Sequence, residues 1–155
     1  MTNDNTRFAD YVTRCCEVLG LPVGPVTGDS YMFQVADRWI ELKANAGGDL
    51  VSFAAMVYMA PADVPVRPDL VCGFNVRYLF DGGFSLLHDR ETDRLYLCRP
   101  HQLEALDPRA IRDELIDFAE RAANVGTWYI RSSEENSENT GGGSSSFSTG
   151  NLVGS

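Results

Sequence analysis

The chain of 155 residues has the size of one domain and carries a formal net charge of −9, from 22 acidic and 13 basic side chains. Nucleic acids and anionic membrane surfaces both require a basic patch, so this charge argues against either as a partner. The chain contains four cysteines and two histidines, none at a recognised zinc spacing, and it predicts no metal site and no cofactor. The cysteines are expected to be buried, reduced thiols: Cys15, Cys16, Cys72 and Cys98.

The amino-terminal residues Met1–Asn5 lack the basic and apolar regions of a signal peptide. No apolar run approaches the roughly 20 residues that a membrane-spanning helix needs. These features predict a soluble protein of the cytosol, with no membrane partner.

The first half of the chain predicts one helix followed by three strands. Alternating apolar residues indicate strands at Tyr31–Val35 and Trp39–Lys43, whereas Leu50–Met59 is apolar at nearly every position, which predicts a central strand covered on both faces. Thr6–Leu19 is amphipathic and ends at Gly20. Its predicted apolar stripe consists of Phe8, Val12, Cys15, Val18 and Leu19.

The stretch Pro68–Pro100 predicts a short apolar helix, Asp69–Phe80, followed by a hairpin of strands Phe84–His88 and Arg94–Cys98. Gly82 and Gly83 follow the helix and end it. The large side chains of so short a helix pack either in the core of the same subunit or against the surface of a partner, and the sequence leaves both possibilities open. Those side chains are Leu70, Val71, Phe74, Tyr78 and Leu79.

The final helix is predicted to begin at Asp107 and Pro108 and to end at Gly126. Its predicted buried stripe is Ile111, Leu115, Phe118, Ala119 and Ala122. Residues 131–155 are rich in Ser, Gly and Glu, so the sequence predicts a folded domain at residues 1–130 and a disordered tail at 131–155. The tail either contacts a partner or is simply solvated.

The element order α-β-β-β-α-β-β-α predicts an α+β sandwich with a twisted antiparallel sheet. No arrangement of residues indicates catalysis. His88 beside Asp89 lies at a hairpin end, where a solvated turn histidine is expected rather than a general base. We therefore expect no enzymatic activity.

Several local strings, together with acidity, length and element order, resemble the class I type III secretion chaperones, a family of small bacterial dimers that includes the Tir chaperone. The resemblance covers about residues 5–130 and leaves the tail out. The strings are Leu19-Gly20-Leu21, Phe74-Asn75-Val76-Arg77, the hairpin run from Phe84 to Leu97, and Leu106-Asp107-Pro108.

This resemblance implies a homodimer built around the helix Asp69–Phe80, with the strand Phe84–His88 beside it. It also implies that the amino-terminal segment of an effector protein wraps around the dimer in extended form, held by apolar patches and added-strand hydrogen bonds. Such a chaperone would keep the effector soluble and secretion-competent in the bacterial cytosol. The alternative is a regulatory or adaptor domain of the same fold that binds a folded protein; a small-ligand pocket is a third reading.

Two sets of side chains are candidates for these contacts, and an ordinary core role is the alternative for each member. The predicted effector contacts are Phe8, Val12, Tyr31, Phe33, Val35 and Trp39. The predicted dimer contacts are Leu70, Val71, Phe74, Tyr78, Phe84 and Leu86.

Overall fold

A computed structural model describes residues 3–78, 80–103 and 107–141. The predictions made for Leu79, Leu106 and residues 142–155 lie outside these ranges. The element order is α-β-β-β-α-β-β-α, as predicted. The elements are α1 (Asn3–Leu19), β1 (Ser30–Val35), β2 (Arg38–Ala44), β3 (Leu50–Met59), α2 (Pro68–Tyr78), β4 (Ser85–Asp89), β5 (Arg94–Gln102) and α3 (Pro108–Gly141).

The five strands form one antiparallel sheet in the order β1-β2-β3-β5-β4, which confirms the predicted α+β sandwich. The two-residue turn between β1 and β2 has positive φ at Ala36 (48°) and Asp37 (63°), the geometry of the tight turns that match the strand twist. In this strand order, β1 and β4 are the two edge strands.

The helices cover one face of the sheet, and the core lies between the two layers. α1 contributes a stripe at spacings of three and four that includes Tyr11 and Cys16 in addition to the predicted Phe8, Val12 and Cys15. Gly20 follows it at φ 68°, and the N–H of Leu21 donates to the carbonyl of Cys16 at 2.9 Å, which closes the helix end.

β3 lies at the centre of the sheet, but the prediction that both its faces are covered is wrong. Its buried residues alternate strictly from Val51 to Val57, and the intervening side chains belong to the other face, where Met56 is exposed. Small residues such as Ala54 on that face had made the strand look apolar throughout.

α3 begins at Pro108, with Asp107 accepting a hydrogen bond from the N–H of Arg109 at 3.3 Å. All five residues of its predicted stripe are buried. Gly126 was predicted to end this helix, but it lies inside the helix, at the point where α3 approaches the backbone of Val57. The apolar stripe then continues to Tyr129, which is buried.

Residues 131–141 continue α3 as a helix, so the boundary expected at residue 130 falls inside this element. Side chains bond back to the carbonyls of the preceding turn, Ser133 to Ile130 at 2.8 Å and Ser137 to Glu134 at 2.8 Å. Composition alone does not reveal local hydrogen bonds of this kind, so it did not predict helix at residues 131–141. Within the described ranges, no helix combines the length and apolarity needed to cross a membrane.

Candidate functional site

The sheet face that points away from the helices, here called the open face, carries a row of large apolar side chains. Trp39 is 58% exposed, Leu87 55% and Met56 41%. Tyr96 of β5 lies between Met56 of β3 and Leu87 of β4 in the register. Trp39 of β2 continues the row, since Glu41 pairs with Ala54 on this face, and Trp39 and Met56 each lie two residues further along toward the same end of the two strands. An apolar row of this kind on a sheet is a candidate binding surface.

A shallow trough of about 460 Å³ runs beside this row on the open face. Its floor is made of small side chains, including Ser52, Ala54 and Cys98, and its walls include Tyr96 and Glu41. Burial, with a smaller contribution from Glu41, raises the pKa of the Cys98 thiol to about 11. The thiol therefore stays protonated at neutral pH and adds an apolar patch to the trough rather than a nucleophile.

The outer edge of β1 presents backbone groups that have no hydrogen-bond partner among the described residues. The N–H of Ala44 donates to the carbonyl of Asp29 at 2.8 Å, which fixes the alternation along the β1–β2 pair. Every second residue after Asp29 therefore bonds to β2, and the N–H and C=O groups of Ser30, Met32 and Gln34 point outward. The Met32 side chain, 57% exposed, lies on the open face at this edge.

The structure divides the predicted effector contacts between the core and the surface. Four of them lie in the subunit's own core, the alternative that the sequence left open: Phe8, Val12, Phe33 and Val35. A partner could reach these four only if the core opened. Tyr31 is half-buried, and its hydroxyl accepts a hydrogen bond from the N–H of Gly24 at 3.0 Å. Trp39 alone stands well exposed.

Three of the predicted dimer contacts, Phe74, Phe84 and Leu86, are also buried within the subunit. Phe74 packs against Tyr78, with ring centroids 4.6 Å apart, and against Trp128 at 5.5 Å. The remaining predicted contacts, Leu70, Val71 and Tyr78, are half-buried against the core. Their contact with a second copy stays a prediction.

The contacts predicted on β1 belong to its core-facing alternate residues, and the exposed side chains around them were not predicted. Met32, Met56 and Leu87 occupy the positions between the buried residues of their strands. Each strand's core-facing set is the more apolar one, so alternation could have placed the exposed set on the opposite face. The exposed Val76 and Phe80, on and just after α2, were also missed.

The predicted burial of all four thiols is wrong for Cys72, which is exposed on α2. Cys15 and Cys16 are buried in the core, and burial raises the pKa of Cys15 to about 12. Among the described residues, no group of three or more His, Cys, Asp and Glu side chains could hold a metal ion. His88 contacts Asp93 in the hairpin at 3.0 Å.

A second groove, of about 760 Å³, lies between the last turns of α3 and the proline-rich link before α2. Pro61, Val64 and Pro65 form one wall, and Ile130 and Ser133 lie on the other. Tyr129 holds the two walls together, since its hydroxyl accepts a hydrogen bond from the N–H of Arg67 at 2.9 Å. This contact gives the buried end of α3 a structural role.

No protein-family model and no curated protein matches the sequence. Solved structures do match its fold. A chain of the ExsC–ExsE complex superposes with a TM-score of 0.65 at 13% identity, covering 81% of this chain and 95% of that one. A chain of the HopA1–SchA chaperone–effector complex gives a TM-score of 0.63 at 10% identity, covering 80% of this chain and 96% of that one.

Two further structures agree. A chain of the complex of the Yersinia pestis type III secretion chaperone SycH with a fragment of YscM2 gives a TM-score of 0.59 at 11% identity, covering 76% of this chain and 98% of that one. A chain of the Pseudomonas aeruginosa ExoT–SpcS complex gives a TM-score of 0.53 at 17% identity, covering 80% and 98%. The protein therefore has the fold of a chain in each of these four complexes, one of which contains a type III secretion chaperone and another of which is a chaperone–effector complex.

Proposed function

We propose that this protein is a type III secretion chaperone of the bacterial cytosol, without enzymatic activity. It binds the amino-terminal segment of an effector in extended form and keeps that segment soluble and secretion-competent. The observation that supports this most strongly is the shared fold, which covers nearly the full length of chains from complexes that include a chaperone with its effector.

The outer edge of β1 and the open face supply the chemistry that such a client needs. An extended chain carries unpaired amides, and the outward N–H and C=O groups of Ser30, Met32 and Gln34 can pair with them. Alternate client side chains would then lie on the open face beside Met32 and Trp39. Backbone pairing tolerates many sequences, whereas the apolar row selects clients with apolar residues at every second position.

We further propose that the working form is a homodimer assembled around α2. Val76 is 77% exposed and Phe80 94% exposed, although both are apolar and lie on or next to this short helix. A second copy would cover both, because a two-fold axis brings the same patch of each subunit together. The net charge of −9 limits less specific association.

The test is co-expression of the chain with amino-terminal segments of type III effectors, followed by limited proteolysis of the purified complex. We expect one short effector segment to be protected while the rest of the effector is cleaved. Protection of a complete folded domain instead, with no short segment protected, would favour the adaptor function.

A pair of variants locates the binding surface. Trp39→Ala should weaken binding of the protected segment about tenfold, because a large exposed aromatic contributes at least 1.4 kcal/mol when a partner covers it. Ile116→Ala is the matched control, since Ile116 is also apolar and 40% exposed but lies on α3. Equal effects of the two substitutions would argue against the open face as the binding surface.

A further inference from the structure

Asn75 of α2 makes two hydrogen bonds to a single residue of the edge strand β4. The backbone N–H of Leu86 donates to Asn75 Oδ1 at 2.6 Å, and Asn75 Nδ2 donates to the Leu86 carbonyl at 3.0 Å. A side-chain amide carries one acceptor and one donor group, as a peptide unit does. Asn75 thus bonds to Leu86 in the way that a neighbouring strand would.

These bonds occupy the outer edge of the sheet. Leu86 lies opposite Leu97 of β5, and in an antiparallel pair the N–H and C=O of one residue point to the same side. Both groups of Leu86 therefore point away from β5. The alternation leaves His88 as the other residue of β4 whose backbone groups point outward, and one residue is too little to hold a strand.

The two edges of the sheet consequently differ. At β1, three successive outward positions have no hydrogen-bond partner among the described residues, and the exposed Met32 lies beside them. At β4, the Asn75 side chain occupies both outward backbone groups of Leu86, with which an added strand would have to bond. Covering an edge in this way is a known means of preventing unwanted strand pairing.

We infer that Asn75 determines which edge of the sheet accepts an extended polypeptide: it closes β4 and leaves β1 as the entry edge. That the extended polypeptide is an effector segment rests on the proposed function. The hydrogen bonds between Asn75 and Leu86 do not depend on it. The same contact also restricts the dimer, because two copies cannot join their β4 strands into one continuous sheet while Asn75 holds Leu86. The second copy must instead meet α2 through side chains.

The test uses the full chain and residue-resolved hydrogen exchange. Asn75→Ala removes the amide, and Asn75→Leu removes it while keeping a side chain branched at the same carbon. Both should speed exchange of the Leu86 amide about tenfold or more, the equivalent of one lost hydrogen bond. Asn45→Ala is the control, since Asn45 likewise accepts a backbone hydrogen bond, from the N–H of Leu50 at 3.1 Å in the turn between β2 and β3, and its loss should leave the Leu86 amide unchanged.

A probe peptide then reports which edge is open. A synthetic peptide of alternating threonine and valine with lysine at both ends has the extended propensity and the positive charge to pair with this acidic protein. In the unchanged protein it should slow exchange at Met32 and Gln34 but not at His88. In Asn75→Ala and Asn75→Leu it should slow exchange at His88 as well.

The inference is overturned if the Leu86 amide exchanges equally fast with and without Asn75. It is also overturned if the peptide protects His88 in the unchanged protein, or fails to protect Met32. Two variants are used in case one of them fails to fold, because Asn75→Leu fills the space that Asn75→Ala leaves empty. Since no effector takes part, failure here is distinct from failure of the chaperone function itself.

Discussion

The carbonyl oxygen of Val57 lies so close to Gly126 that a β-carbon added to Gly126 would be 2.6 Å from it. α3 can approach β3 this closely only because residue 126 has no side chain. The contact joins the helix layer to the middle of the sheet, and it explains a glycine inside a long helix, where glycine is otherwise unfavourable.

Gly126→Ala should therefore lower the free energy of unfolding by about 1–3 kcal/mol, because the helix must move away from the sheet. Gly73→Ala is the matched control: Gly73 lies within α2, and a β-carbon there would meet nothing within 4 Å. That substitution should raise the free energy of unfolding by about 0.5–1 kcal/mol. Urea denaturation measures both, and a stabilising Gly126→Ala would contradict the close contact.

His101 makes the free energy of unfolding depend on pH, and its effect extends above the range where carboxylates titrate. Burial, and to a lesser degree the nearby Arg99, lowers the pKa of His101 to about 4. In the unfolded chain its pKa is about 6.5, so the unfolded state binds the proton more tightly. The contribution of the neutral imidazole is complete above pH 6.5 and is lost progressively as the pH falls toward 4.

Thermal unfolding measured between pH 6.5 and pH 5 should show Tm falling with pH. His101→Gln keeps a polar side chain that does not titrate, and it should flatten the curve in this window. His88→Gln is the control, because His88 lies in the hairpin beside Asp93. An equal fall in Tm for the His101→Gln variant would mean that another group controls the pH dependence.

The proposed dimer is best tested at Val76 rather than at Phe74. Phe74 is buried between Tyr78 and Trp128, so Phe74→Asp would disrupt the subunit as well as any dimer. Val76→Asp should leave the subunit folded but weaken the dimer, since symmetry would bring two charges into one apolar contact. Light scattering should show about twice the 17.1 kDa chain mass for the unchanged protein and a lower mass for Val76→Asp.

A dimer whose mass is unaffected by Val76→Asp would argue against assembly around α2. If the unchanged protein is a monomer at all concentrations, the proposed homodimer is wrong. Circular dichroism of the variant is the control, because retained helix and strand signals show that the subunit itself is intact.

The buried stripe of α3 ends at Tyr129, so truncation after Ile130 should leave the domain folded. Among the described residues of the lost turns, Ser133 and Glu134 line the groove opposite Pro61 and Pro65. We expect Tm to fall by no more than about 4 °C, which corresponds to roughly 1 kcal/mol in a chain of this size. Tyr129→Ala should cost far more, because it removes a buried ring and the acceptor for Arg67.

Periodicity was sufficient to predict the element order and the buried stripe of α3, because those features follow from local spacing. It failed where a tertiary contact decides the outcome. Gly126 looked like a helix terminator because its contact with Val57 joins residues distant in the chain. β3 looked covered on both faces because small apolar residues occupy the open face as well as the core.

The candidate site was harder to predict than the fold. Of the predicted effector contacts, Trp39 is exposed, whereas Phe33 and Val35 face the core; Met32, which was not predicted, lies on the open face. The more apolar of two alternating sets faces the helices, so alternation alone could have placed Phe33 and Val35 in the core; which exposed side chains lie side by side depends on strand order, which residue spacing does not encode. The role of Asn75 was similarly hidden, since its partner Leu86 lies on a different element.

The most direct test of the account is hydrogen exchange at the outward amides of β1 in the complex with a co-expressed amino-terminal effector segment. Ser30, Met32 and Gln34 should exchange rapidly in the free protein and become strongly protected when the segment is bound. Tyr31 and Phe33, which already bond to β2, should change little. Bound effector with no added protection at Met32 and Gln34 would contradict strand addition at this edge.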